Sequence, residues 1–396
     1  MHQHEEGAAT GGLTGWPQSE YRKRKLDIQF TGSGSEYFRI WIVNLLLTIV
    51  TAGLYWPFAK ARRIRYFYAN TLIDGHALAF HGDAWKMFCG HLLMLVLMGA
   101  YSMAGRISLF AGAVAFVLLC VLGPALWRAG LQFRLRNTSW RGLRFGFDGA
   151  LAGAYLPMLP TMLIGAAIVG LQLVFGPPWV GANGAPRIGT EEKVLMVLLL
   201  LAVLVTPWVF TELKRYQHTG YRIASQHAQV RLTAGSVYLL CLRAAGMGLI
   251  GLVLFIAVFF FGMLVGGFTG GLFGKIVAII TIASGYLLMF AAVAPYVTAR
   301  FQNLLWNATS TEDLTVTSQL NFGPLLSLSA RNWLLTAITL GLYRPFAAVD
   351  MARMRLEAVS LTMDGDPETW VADQDATQTS AVGEFAGDFF GIDMGL

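Results

Sequence analysis

Charge is scarce in this chain, and cysteine is scarcer. Only 13% of the 396 residues are charged, against about 25% in an ordinary soluble domain. The three cysteines, Cys89, Cys120 and Cys241, fall in apolar stretches and form no CxxC pair, so neither a disulfide framework nor a thiolate metal site is indicated. No GxxxxGK[ST] loop and no HExxH are present. The glycine-rich 266–271 segment lies between apolar blocks and reads as a hairpin connection rather than a phosphate cradle. His76 and His81 have Asp74 and Asp83 nearby, but the spacing matches no zinc ligand set. The apolar blocks carry no acid at mid-length, which argues against an ion-coupled pump. No cofactor, no metal and no enzyme activity is expected, because no nucleophile, base and orienting group share a telling spacing.

What the chain has in abundance is hydrocarbon. Apolar and aromatic residues make up 55%, gathered in blocks at 87–104, 107–127, 151–175, 194–211, 236–265 and 276–298. A bilayer core roughly 30 Å thick needs about 20 such residues as helix. The blocks pair into three helical hairpins, about 85–127, 151–211 and 236–298.

Charge gives the direction. Of 29 Lys and Arg, only Arg106, Arg187, Lys193 and Lys275 lie between paired blocks. The rest cluster in or beside the other connections, including Lys60/Arg62/Arg63/Arg65, Arg128/Arg134/Arg136 and Lys214/Arg215/Arg222. The positive-inside rule places those connections, and both termini, in the cytoplasm. The net charge of +6 is then a topology signal, and no nucleic-acid partner is expected.

One pattern recurs five times. An alternating segment leads to a membrane-length apolar stretch, then a proline beside or near an aromatic, then a basic run and an Asn-Thr or a variant. The marks are Pro57-Phe58, Pro124-Ala125-Leu126-Trp127, Pro207-Trp208, Pro295-Tyr296 and Pro345-Phe346. The alternating segments begin at Leu26, Leu78, Leu143, Val230 and Leu314, and each predicts a half-buried cytoplasmic strand, paired with those of other copies. The domain reading is a disordered tail at 1–24, a repeated membrane domain at 25–365, and an acidic disordered tail at 366–396. The copies run about 26–77, 78–142, 143–228, 229–313 and 314–365. Met1–Glu20 lacks an apolar core and does not read as a signal peptide.

The first and last copies are short, with room for about 20 residues where the others hold two spans. Their apolar segments are expected to be re-entrant, with two extra full spans as the alternative. Asn44, Thr48 and Thr51 share one helix face, as do Asn332, Thr336 and Thr339. Each stripe either lines a path or bonds neighbouring helices and its own backbone. Lys60, Arg62, Arg63 and Arg65 are candidates to hold lipid phosphate, or simply to snorkel.

Phe30-x-Gly32, Glu36-Tyr37-Phe38, Asn44, Thr51-x-Gly53-x-Tyr55-x-Pro57-x-Ala59, Arg62, Tyr66, Asn70-Thr71, Asp74-Gly75 and Phe80-x-Gly82 together resemble the YjgN-like family of bacterial inner-membrane proteins, built around a domain of unknown function. The resemblance covers about 26–365. It implies a multi-pass cytoplasmic-membrane protein and carries over no catalytic or ligand residue. The expected fold is therefore an all-α multi-pass membrane bundle, internally repeated: three helical hairpins plus two short re-entrant or spanning helices, with short cytoplasmic β-strands. The expected function is a channel-like or facilitator transport protein for a small solute. The alternative is a lipid-binding or membrane-organising scaffold, and membrane lipids are the expected partners in both cases.

Overall fold

The computed structural model describes residues 23–175 and 189–382, leaving aside the side chains of residues 269, 283–291 and 375–382. The N-terminal expectation for 1–22 and the phenylalanines beyond 382 lie outside the described residues.

Eleven strands form one sheet on one side of the molecule. In chain order they are β1 (Lys23–Phe30), β2 (Thr71–Ile73), β3 (His76–Phe80), β4 (Thr138–Trp140), β5 (Leu143–Phe147), β6 (Tyr221–Ile223), β7 (Gln226–His227), β8 (Gln229–Val230), β9 (Thr309–Ser310), β10 (Leu314–Ser318) and β11 (Val359–Asp364). The sheet order is β7-β6-β5-β4-β3-β2-β1-β11-β10-β9-β8. Its two ends, β7 and β8, are separated in the chain by Ala228 alone, so the sheet curls almost into a barrel. The first and last strands lie side by side, with Lys23 opposite Asp364 and Leu26 opposite Leu361.

The alternating segments do form strands, but not with one another. Each pairs instead with a short strand that follows a helix: β1 with β2, β3 with β4, β5 with β6, β8 with β9 and β10 with β11. The Asn-Thr sites mark helix ends, with Asn70 and Asn137 as caps, and Thr71 and Thr138 open the strands that follow. Four of this second set have only two or three residues, too few to show alternation, which is why they were invisible to periodicity; β11, with six, is the exception. Tight turns link the hairpins, with Asp74 and Gly75 at φ 50° and 76° and Arg141 and Gly142 at 50° and 86°, the conformation that suits the twist of a two-residue hairpin.

The inside of the sheet is filled. Leu26, Ile73, Trp140, Leu143, Leu314 and Met363 meet in one apolar core, with Leu78, Phe145, Ile223 and Leu361 packed around it. Helix α13 (Pro367–Val382) closes the hairpin-turn end. Trp370 enters the core, and its Nε1 donates to Asp313 Oδ2 at 2.9 Å. Within the stretch read from the sequence as a tail, a buried indole with a hydrogen-bond partner holds the first turns of this helix in place. Lys23 and Arg24, assigned to the N-terminal tail, belong to β1.

From the opposite end of the sheet rise the helices: α1 (Gly34–Val50), α2 (Trp56–Ala69), α3 (Ala84–Ile107), α4 (Leu109–Arg136), α5 (Leu151–Tyr155), α6 (Leu159–Phe175), α7 (Thr190–Thr219), α8 (Ala234–Thr269), α9 (Gly271–Ala291), α10 (Val293–Asn307), α11 (Phe322–Ile338) and α12 (Arg344–Glu357). A 3₁₀ turn, Leu156–Met158, continues α5 into α6. Among the described residues, five stretches are long and apolar enough to cross a bilayer: Ala84–Ile107, Leu109–Arg136, Leu151–Phe175, Thr190–Thr219 and Ala234–Phe268. Helix α9 runs antiparallel to α8. There Gly262 faces Thr281 and Gly266 faces the Gly274 carbonyl, the close approach that small residues allow.

The short copies are helical hairpins too. After α1 the chain turns at Ala52 and Gly53 (φ 49° and 94°), and α2 returns beside it. After α11 the same turn occurs at Leu340 and Gly341 (φ 51° and 93°). Because β1 pairs with β2 and β10 with β11, both ends of each short hairpin lie at the sheet. A single full crossing would have put these partners on opposite sides. The tips are apolar and uncovered: Val50 is 83% and Leu340 94% exposed.

Candidate functional site

The motif Phe-x-Gly closes each of the first three units for a steric reason. The Phe30 ring folds over Gly32, where a Cβ would stand 2.6 Å from Phe30 Cζ, and Phe147 covers Gly149, where a Cβ would stand 2.7 Å away. A backbone carbonyl just beyond each alternating strand receives a side chain from a neighbouring helix, at a glycine in some cases and at a leucine in others. Arg65 Nη2 donates to Gly82 O at 2.8 Å, Arg215 Nη2 to Leu232 O at 2.7 Å, Asn303 Nδ2 to Leu320 O at 3.0 Å and Arg353 Nη2 to Gly32 O at 2.8 Å. In the second unit, Arg128 Nε reaches Gly149 O at 2.7 Å. Sequence reading missed this ring of contacts, although the polar residue eight positions after four of the prolines was a visible signal.

The candidate phosphate-binding quartet is therefore dispersed. Arg65 is committed to Gly82. Arg62 lies over the Tyr55 ring and donates to Asn44 Oδ1 at 3.4 Å. Arg63 lies over Phe67. Lys60 sits over the Trp56 ring at 5.3 Å and has no carboxylate partner among the described residues. Burial, and then the nearby Arg134 guanidinium, hold the Lys60 amine below its ordinary pKa. Tyr66, from the same helix, accepts from Ser33 N and donates to Ser33 O, both at 2.9 Å. Burial is the main cause that pushes its phenol up to about 12.

The polar stripes turn inward on their own helices. Thr48 Oγ1 donates to Asn44 O at 2.6 Å, Thr51 Oγ1 to Leu47 O at 2.8 Å and Thr339 Oγ1 to Leu335 O at 2.7 Å. Thr51 and Thr339 also accept from the backbone of Tyr55 and Tyr343 beyond the turn, each at 3.0 Å. Thr336 is half-buried. Asn44 and Asn332 are buried. Asn332 Nδ2 meets Ala347 O at 3.5 Å, but its Oδ1 has no partner. The arginine that serves Asn44 is replaced in α12 by Asp350, which pairs with Arg331 at 2.6 Å.

A cavity of about 660 Å³ opens between α2, α3 and α4. Lys60, Arg134 and Gln217 mark its polar end, and Met87, Met94 and Leu126 line its apolar walls. Gln217 is held in place: Lys214 Nζ donates to its Oε1 at 3.1 Å, and its Nε2 donates to the Tyr221 hydroxyl at 2.6 Å. Among the described residues, the Arg134 guanidinium makes no hydrogen bond or ion pair, while the Arg134 carbonyl accepts from Thr138 Oγ1 at 2.8 Å. No cluster of three His, Cys, Asp or Glu side chains suited to a metal occurs among the described residues either. His81 Nε2 bonds Ser139 Oγ at 2.8 Å, and His76 Nδ1 bonds Asp74 O at 2.8 Å.

Residues 25–389 match the model of a family described as bacterial protein of unknown function (DUF898). The chain belongs to this family. Its relatives include inner membrane protein YjgN of Salmonella typhimurium (strain LT2), 32% identical over 148 residues, 37% of this chain and 38% of the relative. Another is inner membrane protein YjgN of Escherichia coli (strain K12), 30% identical over 185 residues, 46% of this chain and 45% of the relative. The match thus spans less than half the length of these curated relatives. No solved structure matches the chain. As a member of this family with membrane-length helices, the chain is a bacterial inner-membrane protein.

Proposed function

We propose that this protein engages membrane lipid through its helical ring and organises the bilayer around it, in preference to conducting a solute along its axis. The observation that carries the reading is the filled sheet. An axial path would have to pass Leu26, Trp140, Leu143, Met363 and Trp370, which leave no polar route through a close-packed core. The threonines expected to line a path spend their hydroxyls on their own backbones. The exposed apolar tips at Val50 and Leu340 suit a hydrocarbon environment, and Lys60 over Trp56 and Arg62 over Tyr55 pair cations with the aromatic rings that favour the interface.

The recurring strand pairs and the side chains that reach each Phe-x-Gly region support reading the chain as five copies of one unit around an axis. On that reading the sheet and both termini are cytoplasmic, and the α1–α2 and α11–α12 hairpins are re-entrant. Native mass spectrometry of the detergent-purified protein tests the lipid reading: anionic lipid co-purifies with it. Solute flux in reconstituted vesicles that is abolished by Asn44→Leu with Asn332→Leu, with folding intact, would restore the transport reading instead.

A further inference from the structure

The cavity between α2, α3 and α4 is graded along its length. Arg134 lies in the last turn of α4, next to β4, and Gly123 lies eleven residues earlier, about 16 Å away along the helix. Arg134 and Gln217 are therefore near the sheet, while Gly123 and Met94 are deep among the membrane-length helices. Two cations, Lys60 and Arg134, share the cavity with no acid among its lining residues. Like charges brought together in a partly apolar site cost stability unless an anion joins them. The volume of about 660 Å³ falls within the 300–1,000 Å³ typical of ligand pockets.

We propose that this cavity is a binding site for an anionic phospholipid, with the phosphate between Lys60 and Arg134, Gln217 beside it, and an acyl chain running past Met87, Met94 and Leu126 toward Gly123. This rests on the lipid reading above and gives it a location and a headgroup chemistry. A free phosphate would satisfy the cations but leave the apolar walls unused, so the two sources are separable by experiment.

The test uses the delipidated full-length chain in detergent. It is titrated with phosphatidylglycerol, with phosphatidylcholine and with inorganic phosphate, and followed by native mass spectrometry and calorimetry. Phosphatidylglycerol should bind more tightly than the other two. Lys60→Gln and Arg134→Gln should each weaken it roughly tenfold or more, the scale of one charge-assisted hydrogen bond. Arg106→Gln, at the far end of α3, should leave it unchanged. Gly123→Leu serves as a second variant, since a Cβ at Gly123 meets nothing within 4 Å. It should fill the deep end and weaken phosphatidylglycerol without a loss of folding. Wild-type affinity in folded Lys60→Gln and Gly123→Leu variants would overturn the site while leaving lipid engagement intact. Equal affinity for inorganic phosphate would overturn the acyl-chain half of it. A wild-type protein that takes up no lipid at all would remove the broader reading as well.

Discussion

Arg353 Nη2 donates to the carbonyl of Gly32 at 2.8 Å across 321 residues of sequence. The contact joins α12 to the residues just after β1. It sits beside the pairing of β1 with β11, so the ends of the chain close the ring themselves. A charge-assisted hydrogen bond of this kind contributes about 1.5–3 kcal/mol. Arg353→Ala should therefore lower the thermal midpoint of the detergent-solubilised protein and loosen β1 and β11 before the other strands. Hydrogen exchange of the two strands checks this, and unchanged protection there would show the ring to be closed by other means.

Gly32 and Gly149 are held to glycine by the phenylalanines two residues before them. Gly32→Ala should cost about 1–3 kcal/mol, the range for overpacking a filled site. Adding Phe30→Leu should return part of that loss, because the smaller side chain vacates the space. Chemical unfolding of the single and double variants measures the coupling.

Trp370 closes the barrel from the hairpin-turn end. Trp370→Ala removes a buried indole and leaves Asp313 without that donor, and should cost about 3–5 kcal/mol. Truncation after residue 366 should have the same effect. Limited proteolysis should cut first in the β6–β7 turn at Ala224 and in the link from β11 at Gly365.

Lys60 carries a half-buried charge near Arg134, and its pKa is below the ordinary 10.5. The unfolded chain therefore holds that proton more tightly than the folded one. In the lipid-free protein, the penalty from this group is present at neutral pH and is relieved as pH rises from the lowered value toward 10.5. Lys60→Met should raise stability at pH 7 and flatten that part of the pH profile. A thermal series across pH 7–10 on wild type and variant decides it.

Single cysteines at Gly75, Gly142 and Ser225, in a background without Cys89, Cys120 and Cys241, should all label from the same face of the membrane, because these turns sit at one end of one sheet. A cysteine at Ala52, in the α1–α2 tip, should resist water-soluble reagents from both faces. Labelling of position 52 from the periplasm would turn the first hairpin into a crossing.

Much of the architecture was written in the order of residues. The membrane-length blocks and the strands that contain Leu26, Leu78, Leu143 and Leu314 follow from composition and short-range periodicity, which a linear reading captures. The partner strands were hidden, because Thr71–Ile73 and Thr138–Trp140 are too short to show a period and exist only through their neighbours. Lys60, Arg62, Arg63 and Arg65 looked like one basic cluster and have separate fates, since neighbours on a helix point about 100° apart and meet different elements.

The sequence by itself determined that this is a membrane protein with membrane-length apolar blocks and shorter apolar segments in its first and last copies, because hydrocarbon length is a local property of a chain. Only the tertiary structure decided that the sheet closes on itself, that its interior is packed, and that Lys60 shares a cavity with Arg134. Those outcomes depend on contacts between distant segments, such as Arg353 with Gly32 and Trp370 with Asp313. No local pattern encodes which of many compatible partners a strand or a side chain will meet.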